Sequence, residues 1–246
     1  MKCVNAVWEI RNLGVKTIEL EIEKNDAPEK IFNEIEGYRL QYDAKYVVIK
    51  ADTRHPKFSV LLQNAGFLLM ENQIGLKLTH ESAIKALEAY REFYDGVSYK
   101  LANESELQMI FSEIERGIFK TDRIALDPEF GVKVANKRYI FWIKDAVARG
   151  ANVFLSVYEG KAIGFFMGKP SGSKNSEGLL GGIFNRPESY HQGSFHLLAG
   201  HKCFLDSKLA VDRTFVSSNN LDVLRLHLML GRTVTNIRNV FIKHFN

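Results

Sequence analysis

The segment VSSNNLDVLRLHLMLG, residues 216–231, places an amide and an imidazole at a spacing suited to chemistry. His227 follows Asn220 by seven residues, about two turns of a helix, so both side chains would lie on one face. An imidazolium can donate a proton near neutral pH, and an asparagine amide can contact a ligand. Two structural alternatives stay open: Asn220 as the helix N-cap, and His227 as a core residue beside Leu224 and Leu228.

This segment resembles a pattern of the GNAT superfamily of N-acetyltransferases, in which a strand ending in V-x-x-x-N leads into a helix N-x-x-A-x-x-x-Y-x-x-x-G. Asn220 takes the asparagine position, His227 the tyrosine position and Gly231 the glycine position. The resemblance implies acetyl-CoA as the acyl donor, an amine as the acceptor and no metal. It also implies that Asn220 contacts CoA and that His227 is the general acid that protonates the departing thiolate.

The residues before the preceding helix fall where the superfamily has its pyrophosphate-binding turn, R/Q-x-x-G-x-G/A. In one register Glu188, His191 and Gly193 take the motif positions, and a shift by two residues gives Tyr190, Gly193 and Phe195 instead. Neither register keeps the whole motif, but backbone N–H groups at a helix N-terminus could still bind a diphosphate. The alternative is a structural loop. The implied cradle consists of Ser189, His191, Gln192, Gly193, Ser194 and Phe195.

The strand GLLGGIF, residues 178–184, is the third part of the implied CoA site. Gly181 and Gly182 within an otherwise apolar strand indicate close approach by a ligand or another backbone, with a β-bulge as the alternative. In the superfamily this strand splays from the next one, and its unpaired backbone groups bind the pantetheine arm like an added strand. The resemblance therefore adds Gly182, Ile183 and Phe184 to the CoA-binding residues.

Residues 119–143 resemble the dTDP-fucosamine acetyltransferases and related enzymes of nucleotide-linked amino sugars, through an Arg near Asp-Pro-x-Phe and then Arg-Tyr-x-x-Trp-Ile. This implies a dTDP-linked amino sugar as the acceptor. Another small amine, a peptide, and a catalytically degenerate binding or scaffold protein remain alternatives. The general base stays open between an ordered water, Glu177 and His191. The implied acceptor site consists of Arg123, Asp127, Tyr139 and Trp142, of which the last two have a spacing that also suits a helix core.

The elements that must position these residues form two small α/β units. The first unit alternates strand and helix, ends in a connecting helix over 80–96, and is expected to contribute to the acceptor cleft or a subunit contact. Its parts are a strand or hairpin in 7–22, a helix after Pro28, a strand at 44–51, a helix at 57–64 and a strand at 67–78. The second unit is predicted to have a strand from 97, helices over 103–117 and 131–149, a hairpin turning at Glu159–Gly160, a helix over 194–207, a strand, a short helix and a final hairpin TVTNI/NVFIKHF.

The sequence therefore predicts an α/β protein with a mixed α+β sheet. A smaller N-terminal domain would span 1–95 and a GNAT-fold domain 96–246, as the length of 246 residues allows. Hydrophobic residues make up 46% and charged residues 25%, which is typical of a folded globular chain.

The charge and the cysteines restrict the partners and the compartment. The net charge of +4 comes from scattered basic residues, which does not indicate nucleic-acid binding. Cys3 and Cys203 lack the spacing of a disulfide framework or a zinc site. The first residues carry charges and no long apolar run, so neither a signal peptide nor a membrane span is expected. We expect a cytoplasmic protein, and a homodimer is left open.

Overall fold

The computed structural model describes residues 1–245, and these contain one mixed sheet of ten strands. The strands are β1 (Lys2–Asn5), β2 (Thr17–Glu21), β3 (Tyr46–Asp52), β4 (Leu68–Thr79), β5 (Val97–Leu101), β6 (Asn152–Tyr158), β7 (Lys161–Ser171), β8 (Asn175–Ile183), β9 (Val211–Ser217) and β10 (Thr233–His244). Their spatial order is β1-β2-β3-β10-β4-β9-β8-β7-β6-β5. The β2–β3 and β8–β9 pairs are parallel and the other pairs antiparallel. The predicted mixed α/β fold is confirmed.

Helices cover both faces of this sheet. They are α1 (Trp8–Leu13), α2 (Ile31–Gln41), α3 (Pro56–Asn64), α4 (His80–Ala89), α5 (Glu104–Glu115), α6 (Gly131–Ala148), α7 (Gly193–Asp206) and α8 (Leu221–Met229). On one face, α6 packs Ala135 against Tyr46 and Val48 of β3, and it packs Ile143, together with α5, against β6 and β7. On the other face, α2 and α3 cover β2 and β3, while α4, α7 and α8 cover the strands of the second unit and β4. No helix within residues 1–245 has both the length and the apolar character needed to cross a membrane.

Local signals fix the ends of several helices. Pro56 begins α3, where its missing N–H costs no helical hydrogen bond. Asn103 and Glu106 form a capping box at the start of α5, which satisfies two backbone donors. Gly231 ends the α8 segment with a φ of +87°, a conformation that glycine adopts without strain.

Three predicted elements differ from the structure. The connecting helix expected over 80–96 ends as α4 at Ala89, and a separate 3-10 turn follows at Arg91–Phe93. The strand or hairpin predicted over 7–22 contains the helix α1, closed by Gly14 at a φ of +81°, and only β2 is extended. The final hairpin is wrong, because β10 is one strand without a turn. Arg238 and Asn239, at the predicted turn, pair with β3 on one side and with β4 on the other. Both strand neighbours come from the first hundred residues, so their effect was not visible in the local pattern.

The strands of the two predicted units are interleaved in space. The boundary predicted near Gly96 lies just before β5. However, β10 from the end of the chain lies between β3 and β4, and β4 in turn pairs with β9. The first unit therefore forms one side of the region that β9 and α8 build, while the division at residue 96 stays a prediction.

Candidate active site

Strands β8 and β9 form a wedge that is open at one end. The two strands pair only over 175–177 and 211–213. Beyond these residues, β8 continues along β7 and β9 continues along β4, so their facing edges make no ladder bonds within the described residues. The Thr214 hydroxyl donates to the Gly178 carbonyl oxygen at 3.0 Å, just where the strands diverge. We call the paired end the apex of the wedge and the open end its mouth.

A cavity of about 810 Å³ lies at the mouth. Its wall consists of the loop 117–121, the end of β8, the turn before α7 and the start of α8. Lys120 and Arg225 bring positive charge to it, and Asp222, whose side chain is almost fully exposed, brings a carboxylate. The cavity is therefore open to an anionic ligand.

The start of α7 forms one side of the cavity without a side-chain cap. The first backbone N–H groups of a helix have no partner within the helix, and the first turn from Gly193 holds no acidic residue. Ser189 is buried, and its hydroxyl oxygen has no hydrogen-bond partner in the part of the chain that the structure describes. Gln192 Oε1 is in the same situation. Polar groups at this turn are thus available to a ligand.

Most residues of the implied CoA site surround this cavity, although their role stays a prediction. Asn220 lines it and also caps α8, because its side-chain oxygen accepts a hydrogen bond from the Val223 N–H at 3.4 Å. The seven that line the cavity are Ile183, Phe184, Ser189, His191, Gly193, Ser194 and Asn220.

The other three residues of that set are differently placed. A Cβ at Gly182 would lie 3.1 Å from side-chain atoms of Ile118 and Phe119, so side chains provide the close approach at this glycine. Gln192 is the residue before α7. The Phe195 ring stacks on Tyr158 with the ring centroids 4.1 Å apart, which leaves only its backbone for a ligand at the turn.

Gly193 has a packing role that the sequence did not show. A Cβ at this position would lie 2.6 Å from Leu226 Cδ1 on α8. Both residues line the cavity. The glycine therefore lets the start of α7 approach α8, and a larger residue would disturb the cavity wall.

Three buried histidines belong to α7 and α8: His196 and His201 to α7, and His227 to α8. Burial lowers the pKa of His196 to about 4, and burial together with Arg232 lowers that of His201 to about 4. Burial, then Arg232 and the other two rings, lower the pKa of His227 well below its usual value. All three rings are neutral at pH 7. The imidazolium form that the sequence analysis assigned to His227 is therefore disfavoured.

His227 differs from the other two in its hydrogen bonds. His196 Nδ1 lies 2.7 Å from the Ser156 hydroxyl, and the two ring nitrogens of His201 lie 2.8 and 2.9 Å from the carbonyl oxygens of Leu197 and Leu230. His227 Nδ1 is buried and has no partner within residues 1–245. His227 Nδ1 is thus an unused hydrogen-bonding atom close to Arg232, although His227 is not among the residues that line the cavity.

A charged cluster closes the apex on the same face of the sheet. Arg232 Nη2 donates to Asp212 Oδ2 at 2.5 Å, and Asp212 Oδ1 accepts from the Ser176 hydroxyl at 2.7 Å. Ser176 and Asp212 are also direct partners in the β8–β9 ladder. The Arg232 N–H donates to the His227 carbonyl oxygen at 3.0 Å, which ties the end of α8 to the apex.

Glu113 of α5 holds the end of β8 against the mouth. Its carboxylate is fully buried and accepts from Arg186 Nε at 2.8 Å and from the Asn185 backbone N–H at 3.2 Å. Arg116 adds a second ion pair at 2.8 Å. Because Asn185 lines the cavity, Glu113 positions one wall of it.

The four implied acceptor residues have different surroundings. Asp127 is buried and bonded to His244 at 3.0 Å. Trp142 packs with the core between α5, α6 and the sheet. Arg123 donates to Glu19 at 2.8 Å, and although burial opposes it, Arg123 and Lys50 lower the pKa of Glu19 to about 2.

Tyr139 lies near a polar group that sequence reasoning missed. Its ring packs on Phe119 with the centroids 4.4 Å apart, and burial and Asp122 raise its pKa. Glu71 of β4 lies close to Asp122, and burial raises the pKa of Glu71. One oxygen of each carboxylate, Glu71 Oε2 and Asp122 Oδ2, is buried without a hydrogen-bond partner among the described residues. Glu71 falls in a strand of the first unit, where no motif marks it.

The two candidate bases lie in different parts of the wedge. Glu177 lies 3.4 Å from Lys169 at the paired end of β8, whereas His191 lines the cavity. Over residues 1–245, no three side chains of His, Cys, Asp or Glu converge where they could hold a metal ion.

Solved structures share this fold at low sequence identity, while no protein-family model and no curated protein matches the sequence. The chain is similar to a conserved protein of unknown function from Staphylococcus epidermidis, with a TM-score of 0.63 and 9% identity over 94% of this chain and 85% of that one. It is also similar to a GCN5-related N-acetyltransferase from Kribbella flavida, with a TM-score of 0.58 and 11% identity over 94% of this chain and 82% of that one. A tandem GNAT protein from the clavulanic acid biosynthesis pathway, solved without acetyl-CoA, matches with a TM-score of 0.56 and 12% identity over 93% of this chain and 75% of that one.

These similarities establish the fold as that of the GCN5-related N-acetyltransferases. They extend to such proteins in general and do not single out enzymes of nucleotide-linked amino sugars. The fold alone does not assign a reaction, because one fold can serve several functions.

Proposed function

We propose that this protein is an acetyl-CoA-dependent N-acetyltransferase. The observation that carries the proposal is the wedge between β8 and β9, whose mouth meets the uncapped start of α7 at one cavity. Unpaired strand edges can bind an extended amide chain as an added strand, and a helix N-terminus suits a diphosphate. Structures of N-acetyltransferases with the same fold support the assignment.

The residues at the mouth fit such a donor. Those backbone N–H groups between Ser189 and Phe195 that make no hydrogen bond within the turn would hold the diphosphate, and Lys120 and Arg225 would add positive charge. The edge of β8 from Gly182 to Phe184, together with Asn220, would hold the pantetheine arm. The donor would supply an acetyl carbon already activated as a thioester.

In the proposed reaction the acceptor amine attacks the thioester carbonyl carbon. Backbone N–H groups of β8 polarise the carbonyl, as preorganised donors do in acyl transfer. His227 hydrogen-bonds to the departing sulfur as a neutral imidazole, because its buried site disfavours the charged form. This replaces the imidazolium acid with a donor that keeps its proton.

The acceptor is proposed to be an amine, and the sequence resemblance in 119–143 favours the amino group of a dTDP-linked sugar. Support for an acceptor region on the face opposite α7 and α8 comes from Glu71 and Asp122, whose buried oxygens lack partners among the described residues. Glu71 belongs to β4, so the first unit would contribute to the acceptor cleft. Arg123 and Tyr139 lie next to this pair and are kept as acceptor-site candidates.

Calorimetric titration of the full chain with acetyl-CoA tests the proposal. We expect saturable binding with a dissociation constant between about 1 µM and 1 mM, the usual range of substrate affinity. A mass-spectrometric assay with a dTDP-amino sugar, a peptide amine and a polyamine then identifies the acceptor class. No saturable binding of acetyl-CoA would contradict the proposal.

A second candidate, a binding or scaffold protein with the same fold, is favoured by one observation. The turn before α7 has a single glycine, Gly193, where the pyrophosphate motif has two small residues. That glycine also faces Leu226, so packing alone accounts for it. The two candidates differ in the titration, because a scaffold without the donor site gives no acetyl-CoA binding.

A further inference from the structure

Arg232 is a buried cation at the apex of the wedge, and two of its side-chain nitrogens make no hydrogen bond among the described residues. Its side chain is 9% exposed. Nη2 donates to Asp212, but Nε and Nη1 are buried and have no hydrogen-bond partner in the part of the chain described here. An arginine with only a structural role in a protein interior normally uses its fork of donors on carboxylate or carbonyl oxygens.

The position of this side chain is fixed from two directions. Asp212 is anchored by Ser176, its partner in the β8–β9 ladder, at 2.7 Å. The backbone of Arg232 is bonded to the carbonyl oxygen of His227. The guanidinium is therefore held between the end of α8 and the last paired residues before β8 and β9 diverge.

Within residues 1–245, the groups that face Arg232 balance its charge but leave two of its donors unused. They are Asp212 on β9, His201 on α7 and His227 on α8. Burial first, and then Arg232, lower the pKa of both histidines, so both rings are neutral at pH 7 and neither competes for an anion. The feature that suits an anion is therefore the pair of unused donors on Arg232, Nε and Nη1.

We infer that Arg232 is a catalytic residue whose guanidinium stabilises the thiolate end of coenzyme A as it leaves. The amine nitrogen forms a bond to the acyl carbon, the carbon–sulfur bond breaks with its electron pair on sulfur, and the amine proton passes to solvent. The sulfur then leaves as a thiolate and needs no proton from His227. Nε and Nη1 of Arg232 donate to it, and His227 lies close enough to Arg232 for its pKa to be affected by that charge.

This inference rests on the proposed function, and free CoA is the probe that tests it without an acceptor. The ultraviolet absorbance of the thiolate is recorded during a pH titration of the full chain with CoA bound. Protein with desulfo-CoA bound is subtracted, which removes the signals of Cys3 and Cys203. We expect the pKa of bound CoA thiol to lie about 1–3 units below that of free CoA, the usual effect of a nearby opposite charge.

Variants at the apex separate the charge from the fold. Arg232→Gln should return the thiol pKa to within about half a unit of free CoA and weaken CoA binding at pH 9 about tenfold, since one pKa unit corresponds to a factor of ten. Binding of desulfo-CoA should not change. Arg232→Gln leaves the Asp212 carboxylate without its ion-pair partner, so the double variant Asp212→Asn/Arg232→Gln is measured as well. Its bound CoA should show the same thiol pKa as in the single variant Arg232→Gln.

Two further variants test the direction of the change in the thiol pKa of bound CoA. Asp212→Asn alone removes the competing carboxylate and should lower the thiol pKa further. Arg213→Gln, on β9 but exposed on the other face of the sheet, should leave it unchanged. A thiol pKa that is normal in the unmodified protein, or lowered equally with and without Arg232, would overturn the inference. Absence of CoA binding in the unmodified protein would instead refute the proposed function, and this inference with it.

Discussion

The mouth and the apex of the wedge would recognise two parts of one donor by different means. At the mouth the available groups are backbone N–H groups of an uncapped helix and exposed cations such as Arg225. At the apex they are buried side chains, Arg232 and His227, with polar atoms that no described residue bonds. Backbone recognition tolerates a change of side chain, whereas a buried side-chain site does not. Substitutions should therefore act strongly at the apex and selectively at the mouth.

The largest effect is expected from His227→Phe. This change keeps a ring in the buried site and removes the proposed hydrogen-bond donor to the departing sulfur. Turnover should fall about 10²–10³-fold, as on loss of one preorganised donor, while acetyl-CoA affinity changes little. Steady-state kinetics and calorimetry measure the two quantities.

His201→Gln is the matched control for that variant. His201 is also buried near Arg232, but its ring nitrogens face backbone carbonyl oxygens. We expect a lower melting temperature with turnover per folded molecule near that of the unmodified protein. If His227→Phe retained normal turnover while folded, His227 would be a core residue only.

Gly193→Val should have the next largest effect, at the mouth. The added side chain meets Leu226 Cδ1, which lies 2.6 Å from the site of a Cβ. Overpacking of this kind costs about 1–3 kcal/mol of stability. Because it would also displace the backbone N–H groups at the start of α7, acetyl-CoA affinity should fall about tenfold or more, as on loss of one hydrogen bond. Gly200→Val, on the same helix with nothing within 4 Å of its Cβ, is the control. Equal affinities in the two variants would show that the turn does not bind the donor.

The buried histidines predict a pH dependence of stability. Their folded-state pKa lies below the unfolded value of 6.5, so they favour the folded state at neutral pH, and that contribution is lost as the pH falls toward about 4. Each ring should contribute about 1.4 kcal/mol for each pH unit in this window. Glu19, whose pKa is lowered to about 2, acts only at lower pH.

Urea unfolding between pH 7.5 and 4.5 measures this dependence. His196→Asn should show a smaller loss of unfolding free energy over the window than the unmodified protein, because one protonation site is removed. An identical pH slope in the two proteins would mean that His196 is not held neutral by burial.

The smallest effect is expected from Ser194→Ala. Ser194 lines the cavity, but the proposed contact at this residue is its backbone N–H, which alanine keeps. Acetyl-CoA affinity should stay within about twofold in calorimetry. A tenfold loss would mean that the mouth depends on side chains, and the contrast with the apex would disappear.

The same contrast explains what the sequence could predict. The residues of the mouth were predicted as a donor site because most of them lie close together in the chain, as a strand with paired glycines and a turn that opens a helix. His227 was predicted as a catalytic residue from its spacing to Asn220, but its neutral state depends on burial and on Arg232. No sequence motif marks Arg232, and its proposed role depends on its contact with Asp212, which lies in another element, β9.

The fold shows a similar limit. Most strands and helices were predicted because their patterns are local, including the tight turn at Glu159–Gly160, where both residues have positive φ. The insertion of β10 between β3 and β4 joins residues almost 200 positions apart, such as Phe241 and Ile49. No periodicity within one segment can specify such a pairing, and for the same reason the position of Glu71 beside the second unit was not foreseen.

A crystal structure of the full chain with CoA bound tests the central claim most directly. We predict the diphosphate against the backbone N–H groups between Ser189 and Phe195, the pantetheine arm along the free edge of β8, and the sulfur within hydrogen-bond distance of Arg232 at the apex. A diphosphate bound elsewhere, or a sulfur outside the wedge, would contradict the account.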